Sequence, residues 1–338
     1  MESLLLWPVS SIQRSTEKED RVCYNHNPMV ELPPVVDLRE RLEQSRVSGL
    51  YVYPIKSCAG TLLQEAEVVS TGIKHDRELM LIDAEGRFIS QRDEFARPLS
   101  LVTPKFIRDD YIKVKTPGMP NILYTKITHE GERVEATMHN GERMSVVEPD
   151  PKASRWFSEF LEEDCRMVAM APEFTRQVDQ NYAPRDTDQT LLSDGFSFLF
   201  LSEESLADLN RRIQERKPGF ESLPMNRFRP NVVLSGSGIP YGESLILEAQ
   251  IGDVVFDFVK RCQRCEITRV KQEEGRQDGG EPLQTLLKYR EVAVEEGAPR
   301  KAIFAENVEN QNTGIVRIGD SVIVKEIQDP PEFLERAA

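Results

Sequence analysis

From Arg46 onward the chain is a succession of short runs that alternate apolar and polar residues, cut apart by Gly, Pro, Asp and Asn. Such punctuation commits a backbone to strands joined by turns and leaves room for few helices. In the first half the runs cover 47–53, 65–70, 78–83, 87–91, 111–115 and 122–128. In the second they cover 196–201, 231–234, 245–248, 254–259, 266–270 and 315–325. Ile251-Gly252-Asp253 and Ile318-Gly319-Asp320 introduce two of these runs with the same turn. A short helix is expected over 36–44, ahead of the first strand, and beyond it helical spacing is confined to three places. Trp156, Phe157, Phe160 and Leu161 share one face of a helix over 152–161, and a short helix follows Pro282. Between them, Ser202 caps a helix whose buried stripe is Leu206, Leu209 and Ile213, with Glu203 and Glu204 at its positive end. The predicted class is α+β, mostly β.

At 338 residues, 39% of them hydrophobic, the chain can form two modest domains. A formal net charge of −14 opposes nucleic acid and anionic membranes, and suits a basic partner or simple solubility. Five scattered cysteines (Cys23, Cys58, Cys165, Cys262, Cys265) are too few for a disulfide scaffold, which points to a reducing compartment. The apolar run 4–9 is broken by Pro8 and falls far short of the ~20 residues that span a bilayer. No transmembrane anchor or signal peptide is expected, and an intracellular location, cytoplasmic or mitochondrial, follows.

The sharpest local feature is Arg261-Cys262-Gln263-Arg264-Cys265, set in a turn between two expected strands. A C-x-x-C pair is compatible with half a zinc site, a dithiol redox motif or two structural thiols. Zinc wants a second pair, and the histidines (His26, His75, His129, His139) form none. A redox pair wants a helix after it, and a strand is expected here. Spacing alone leaves two structural thiols as open a reading as any other, since free Cys is among the residues most often buried. The flanking Arg261 and Arg264 shift the balance, because nearby positive charge favours the thiolate that binds metal. Further basic residues sit at strand ends: Lys56-Ser57, Asp76-Arg77, and Arg229 in Arg227-Phe228-Arg229-Pro230-Asn231. In an acidic protein such placement suits a buried anionic group.

These residues carry a resemblance. Tyr53-Pro-Ile-Lys-Ser-Cys58, His75-Asp-Arg77, Ser193-Asp-Gly195, Ser202-Glu-Glu-Ser-Leu-Ala-Asp-Leu-Asn210, Phe228-Arg-Pro-Asn231, Arg264-Cys265, Glu281-Pro-Leu-Gln-Thr-Leu286 and Ile318-Gly-Asp320 run in the order of the MOSC proteins. Among those proteins the chain most resembles the mitochondrial amidoxime-reducing components and their bacterial relatives. The resemblance implies an N-terminal MOSC-associated β-rich domain over 46–175 and a C-terminal MOSC β-barrel over 176–330, flanked by a flexible arm at 1–45 and a tail at 331–338. It implies a molybdenum cofactor (Mo-molybdopterin) with Cys265 as metal ligand and catalytic residue. Lys56, Ser57, Arg77, Arg229, Asn231, Gln263 and Arg264 would contact the pterin or its phosphate, and Gly195 and Phe196 would line the site.

The activity implied is reduction of N-hydroxylated compounds such as amidoximes, hydroxamates and N-hydroxy bases by oxygen-atom removal. Electrons would come from an acidic b-type cytochrome and its flavoprotein reductase. Docking that cytochrome would need a local basic patch, and no run of the sequence supplies one. Two alternatives stay open: a sulfur-handling protein like the C-terminal part of molybdenum-cofactor sulfurases, and a non-catalytic carrier of the cofactor.

Overall fold

The computed structural model describes residues 35–292 and 299–329. The expected tail at 331–338, and the expected arm as far as residue 34, lie outside them. The short helix expected before the first strand is Val35–Leu42.

The largest sheet runs, in spatial order, Thr61–Leu63, Arg46–Val52, Val232–Ser235, Phe198–Ser202, Lys301–Asn310, Val254–Gln263, Ile246–Ile251 and Val322–Ile327. Its far strand returns to the second one. Val47 donates to the Asp320 carbonyl at 3.0 Å, Gly319 donates to that of Val47 at 2.8 Å, and Arg46 bridges Ser321. The sheet thus closes into a barrel, leaving few free edges. The two Ile-Gly-Asp turns use glycines at φ +56° and +92°, which residues with a Cβ adopt poorly. Inside, the rings of Phe198 and Phe200 each meet Phe256 edge-on at 5.2 Å. All three are fully buried, each contributing about 2–3 kcal/mol. The helix Glu203–Arg216 caps as expected, with Ser202 Oγ accepting from Ser205 N, and buries Leu209 and Ile213.

A second sheet orders Leu79–Asp83, Cys165–Met170, Arg143–Glu148 and Glu132–Thr137. The helix Pro151–Leu161 packs on it through Trp156 and Phe157, and beside it lies a three-stranded sheet of Thr103–Arg108, Tyr111–Lys115 and Leu123–Lys126. The architecture is mostly β, as the patterning predicts. Among the described residues no helix is long and apolar enough to cross a membrane.

Three local readings differ. The strand expected at 87–91 is reduced to single bridges from Arg87 and Phe88, because the Asp93 carboxylate takes the Ser90 N–H and turns the chain. The run 315–325 splits into Gly314–Arg317 and Val322–Ile327 around its glycine turn. The strand expected at 266–270 is a 3-10 turn over Glu266–Arg269, closed by Thr268, whose N–H and Oγ1 both donate to the Cys265 carbonyl.

The central strand Lys301–Asn310 is masked in the sequence because Glu306 and Glu309 interrupt its apolar pattern, although both are buried. Burial lifts the Glu309 carboxyl to about 7, against the opposing pull of the Ser197 N–H that donates to it at 2.9 Å. A carboxyl raised in the fold keeps its proton there while the unfolded chain has lost its own. Its contribution is therefore complete below the ordinary Glu range and is lost as pH rises toward 7. Glu309→Gln keeps an acceptor for Ser197 and removes the charge, so thermal unfolding should show a Tm gain over wild type at pH 8 that shrinks at pH 5.

Candidate functional site

Where the barrel strands end and the loops of the second sheet begin, a cleft of ≈ 850 Å³ opens, counting space continuous with solvent. All ten residues singled out from the sequence line it: Lys56, Ser57, Arg77, Gly195, Phe196, Arg229, Asn231, Gln263, Arg264 and Cys265. They come from five separate stretches of chain. Asn231 is the tie among these stretches. Its Oδ1 accepts from Arg77 Nη1 at 2.9 Å and from Leu199 N at 3.2 Å, and its Nδ2 donates to the Tyr51 carbonyl at 3.2 Å. With two donors on the amide nitrogen, one N–H is left for anything in the cleft.

Five basic side chains face this space, Lys56, Arg77, Arg92, Arg229 and Arg264, against the single carboxylate of Asp194. Asp194 pairs with Lys56 at 2.6 Å and with Arg92 at 3.6 Å. Burial lowers the Lys56 ammonium to about 8, opposed by Asp194. Arg77 is spoken for by Asp76 and Asn231 and stacks on the Tyr53 ring, 4.3 Å from its centroid. The Arg229 guanidinium packs on the same ring at 4.4 Å and, among the described residues, meets no carboxylate. Two donors, Arg92 Nη1 and Arg264 Nε, are buried without a protein partner. A buried unpaired N–H costs about 1–3 kcal/mol, so these are atoms awaiting an acceptor. Ser57, Arg77 and Arg229 also hold φ of +72°, +49° and +56°, a conformation costly for residues with a Cβ and concentrated here on the cleft wall.

The two thiols separate. Cys262, at the end of the strand Val254–Gln263, accepts from Arg264 Nη1 at 3.1 Å, and burial pushes its thiol up despite that arginine. Cys265, partly exposed, is met by Arg92 Nη2 at 3.5 Å. The cation at the Cys265 sulfur is therefore not the adjacent Arg264 but a residue 173 positions away. Arg92 and its neighbour Gln91 were missed. Gln91 ends the expected run 87–91 and Arg92 follows it, so the rule that basic residues at strand ends suit an anion applies to Arg92 as well. Phe88 and Asn307 also face the cleft.

Comparison with known proteins follows this geometry. Residues 44–164 match the MOSC N-terminal beta barrel domain and residues 187–323 match the MOSC domain. The chain is 33% identical over 296 residues to mitochondrial amidoxime-reducing component 1 of Mus musculus, covering 84% of each. Its human counterpart is 30% identical, over 84% of this chain and 85% of that one. Molybdenum cofactor sulfurase of Arabidopsis thaliana is 29% identical over 76% of this chain and 33% of that protein.

Burial lifts the Cys58 and Cys165 thiols to about 12 and 11. Brief alkylation of cofactor-free protein at pH 7.5 followed by peptide mapping should label Cys265 first and Cys262 later, and reach Cys58 and Cys165 only on unfolding. Labelling of Cys262 ahead of Cys265 would contradict the geometry.

Proposed function

The chain belongs to the MOSC family, and from that premise we propose that it reduces N-hydroxylated compounds at a molybdenum cofactor held in this cleft. One observation carries the reading: five basic side chains and one carboxylate converge beside a partly exposed thiol in a protein of net charge −14. Asp76 and Asp194 offset part of this charge, and an anionic ligand would balance what is left. The cofactor's phosphate and pterin acceptors suit the two unpaired guanidinium donors, and Arg229, held by Gln272 and the Tyr53 ring, brings a charge that meets no carboxylate among the described residues. Among the described residues no three of His, Cys, Asp and Glu converge on a metal position. A metal here must bring most of its own ligands, and the dithiolene of molybdopterin does so. Once bound, the molybdenum supplies two-electron oxygen-atom transfer.

The protein's part is narrower. Cys265 would give the thiolate ligand, with Arg92 donating to its sulfur. Lys56, Arg229 and Arg264 would neutralise the phosphate and pterin edge, Ser57 would donate a hydrogen bond to it, and Arg77 and Asn231 would fix those residues in place. Phe88 and Phe196 would wall the open side and exclude water from it. Each turnover takes two electrons and two protons and releases the oxygen as water. We assign the electrons to a b-type cytochrome and its flavoprotein reductase.

The likeness to the Arabidopsis sulfurase favours a second reading, in which the bound cofactor is handled or carried rather than used. Expression in a cofactor-competent host, molybdenum quantification and benzamidoxime reduction with a chemical donor separate the two. The reductase reading expects molybdenum with turnover in wild type, at least a ~100-fold loss of turnover in Cys265→Ala, and roughly tenfold less bound cofactor in Arg229→Gln. Molybdenum without turnover supports the carrier or sulfur-handling reading, and a metal-free wild type would sink both.

A further inference from the structure

We infer that one face of the three-stranded sheet Thr103–Arg108, Tyr111–Lys115, Leu123–Lys126 is the docking surface for a small acidic electron-carrier protein. This rests on the reductase reading, which needs electrons from outside the cleft. The strand register supplies what no run of the sequence shows. Lys105 lies opposite Lys113, Lys113 opposite Tyr124, Thr103 opposite Lys115 and Tyr111 opposite Lys126. Alternation sends these side chains outward, while Pro104, Ile112, Val114, Leu123 and Thr125 on the other face are buried. Tyr124 is 52% exposed, and Ile122, two residues before it, and Ile107 on the strand Thr103–Arg108 are exposed as well.

The arrangement works against the fold. Like charges directly opposite on a sheet repel, and Lys105 faces Lys113 with Lys115 next along the strand. Among the described residues Lys105, Lys113, Lys115 and Arg108 make no ion pair. The carboxylates at the far turn are engaged, Asp110 by Lys126 and Asp109 by Lys74, each at 3.1 Å. A protein with fourteen excess negative charges thus keeps cations without an ion-pair partner on a small sheet that also exposes an aromatic ring, with Lys113 directly opposite Tyr124.

The face also lies near the cleft. Ala59 N donates to the Val102 carbonyl at 2.9 Å, and Ser57, two residues before Ala59, lines the cleft. Summing Cα spacings along that path puts Thr103 within roughly 16 Å of Ser57.

Size and charge select the occupant. Three strands of about five residues span roughly 15 by 17 Å, the small end of interfaces, where transient redox encounters fall. At physiological salt a charge is felt over about 8–10 Å, so a small acidic protein meets the lysines alone. A bilayer or a nucleic acid, being extended, meets the acidic remainder as well.

The test uses the holoenzyme with two donors, the chemically reduced soluble haem domain of an acidic b-type cytochrome and reduced methyl viologen. For K105E/K113E/K115E the haem-protein rate at limiting carrier should fall about tenfold or more at low salt, and K105R/K113R/K115R should keep it. The viologen rate should match wild type in both. Titration calorimetry at low salt should show the same loss of carrier binding, and it reads the face even if turnover is absent. Unchanged carrier rate and binding in the triple Glu variant would overturn the docking surface. So would an equal fall with both donors, or loss of phosphatidylserine-vesicle binding alone. Absence of viologen turnover in wild type, with carrier binding still charge-dependent, would instead count against the reductase reading.

Discussion

The cleft exists because one buried carboxamide, that of Asn231, fastens three segments that sequence order keeps far apart. It ties the strand Arg46–Val52 through Tyr51, the strand Phe198–Ser202 through Leu199, and the turn that leads into Leu79–Asp83 through Arg77. Its backbone repeats the tie, donating to the Leu199 carbonyl and accepting from Tyr51 N, both at 2.8 Å. An amide with three of its hydrogen bonds made inside a low-dielectric wall is costly to disturb, since removing it strands each partner. Arg77 and Arg229 depend on it in turn, for both stack on the Tyr53 ring whose own hydroxyl is held by the Pro230 carbonyl.

With the walls fixed, the charges have nowhere to go. Lys56 is buried against Leu192 and Asp194, and Arg264 is anchored by the Phe228 carbonyl at 2.7 Å. Preorganised cations in a partly enclosed space repel one another until an anion arrives, so the site is built to be completed by its ligand. The same geometry divides the C-x-x-C pair. Both thiols line the cleft and both are partly exposed, but one accepts from the nearby Arg264 guanidinium and the other lies under Arg92, a cation distant in sequence.

Much of this was legible in the chain. Strand punctuation gives the mostly β class, and Ser202 and its two glutamates mark the capped helix. The rule that cations at strand ends suit an anion picks out Lys56, Arg77 and Arg229. What local pattern conceals is pairing at a distance. Nothing near Arg46 announces that its strand joins Val232–Ser235, and nothing near Arg92 announces Cys265. Lys301–Asn310 hides because its buried glutamates mimic a surface segment, and Glu266–Arg269 reads as a strand although Thr268 folds it into a turn. The basic sheet face is invisible for the same reason: its lysines are spread over three strands and become neighbours only through the register.

The central claim is that Cys265, and not Cys262, gives the metal its protein sulfur. X-ray absorption at the molybdenum edge of the cofactor-loaded protein tests it most directly. Cys265→Ser should show one sulfur scatterer fewer than wild type, with Cys262→Ser unchanged; an identical sulfur shell in wild type and Cys265→Ser, or loss of that scatterer in Cys262→Ser, would contradict it.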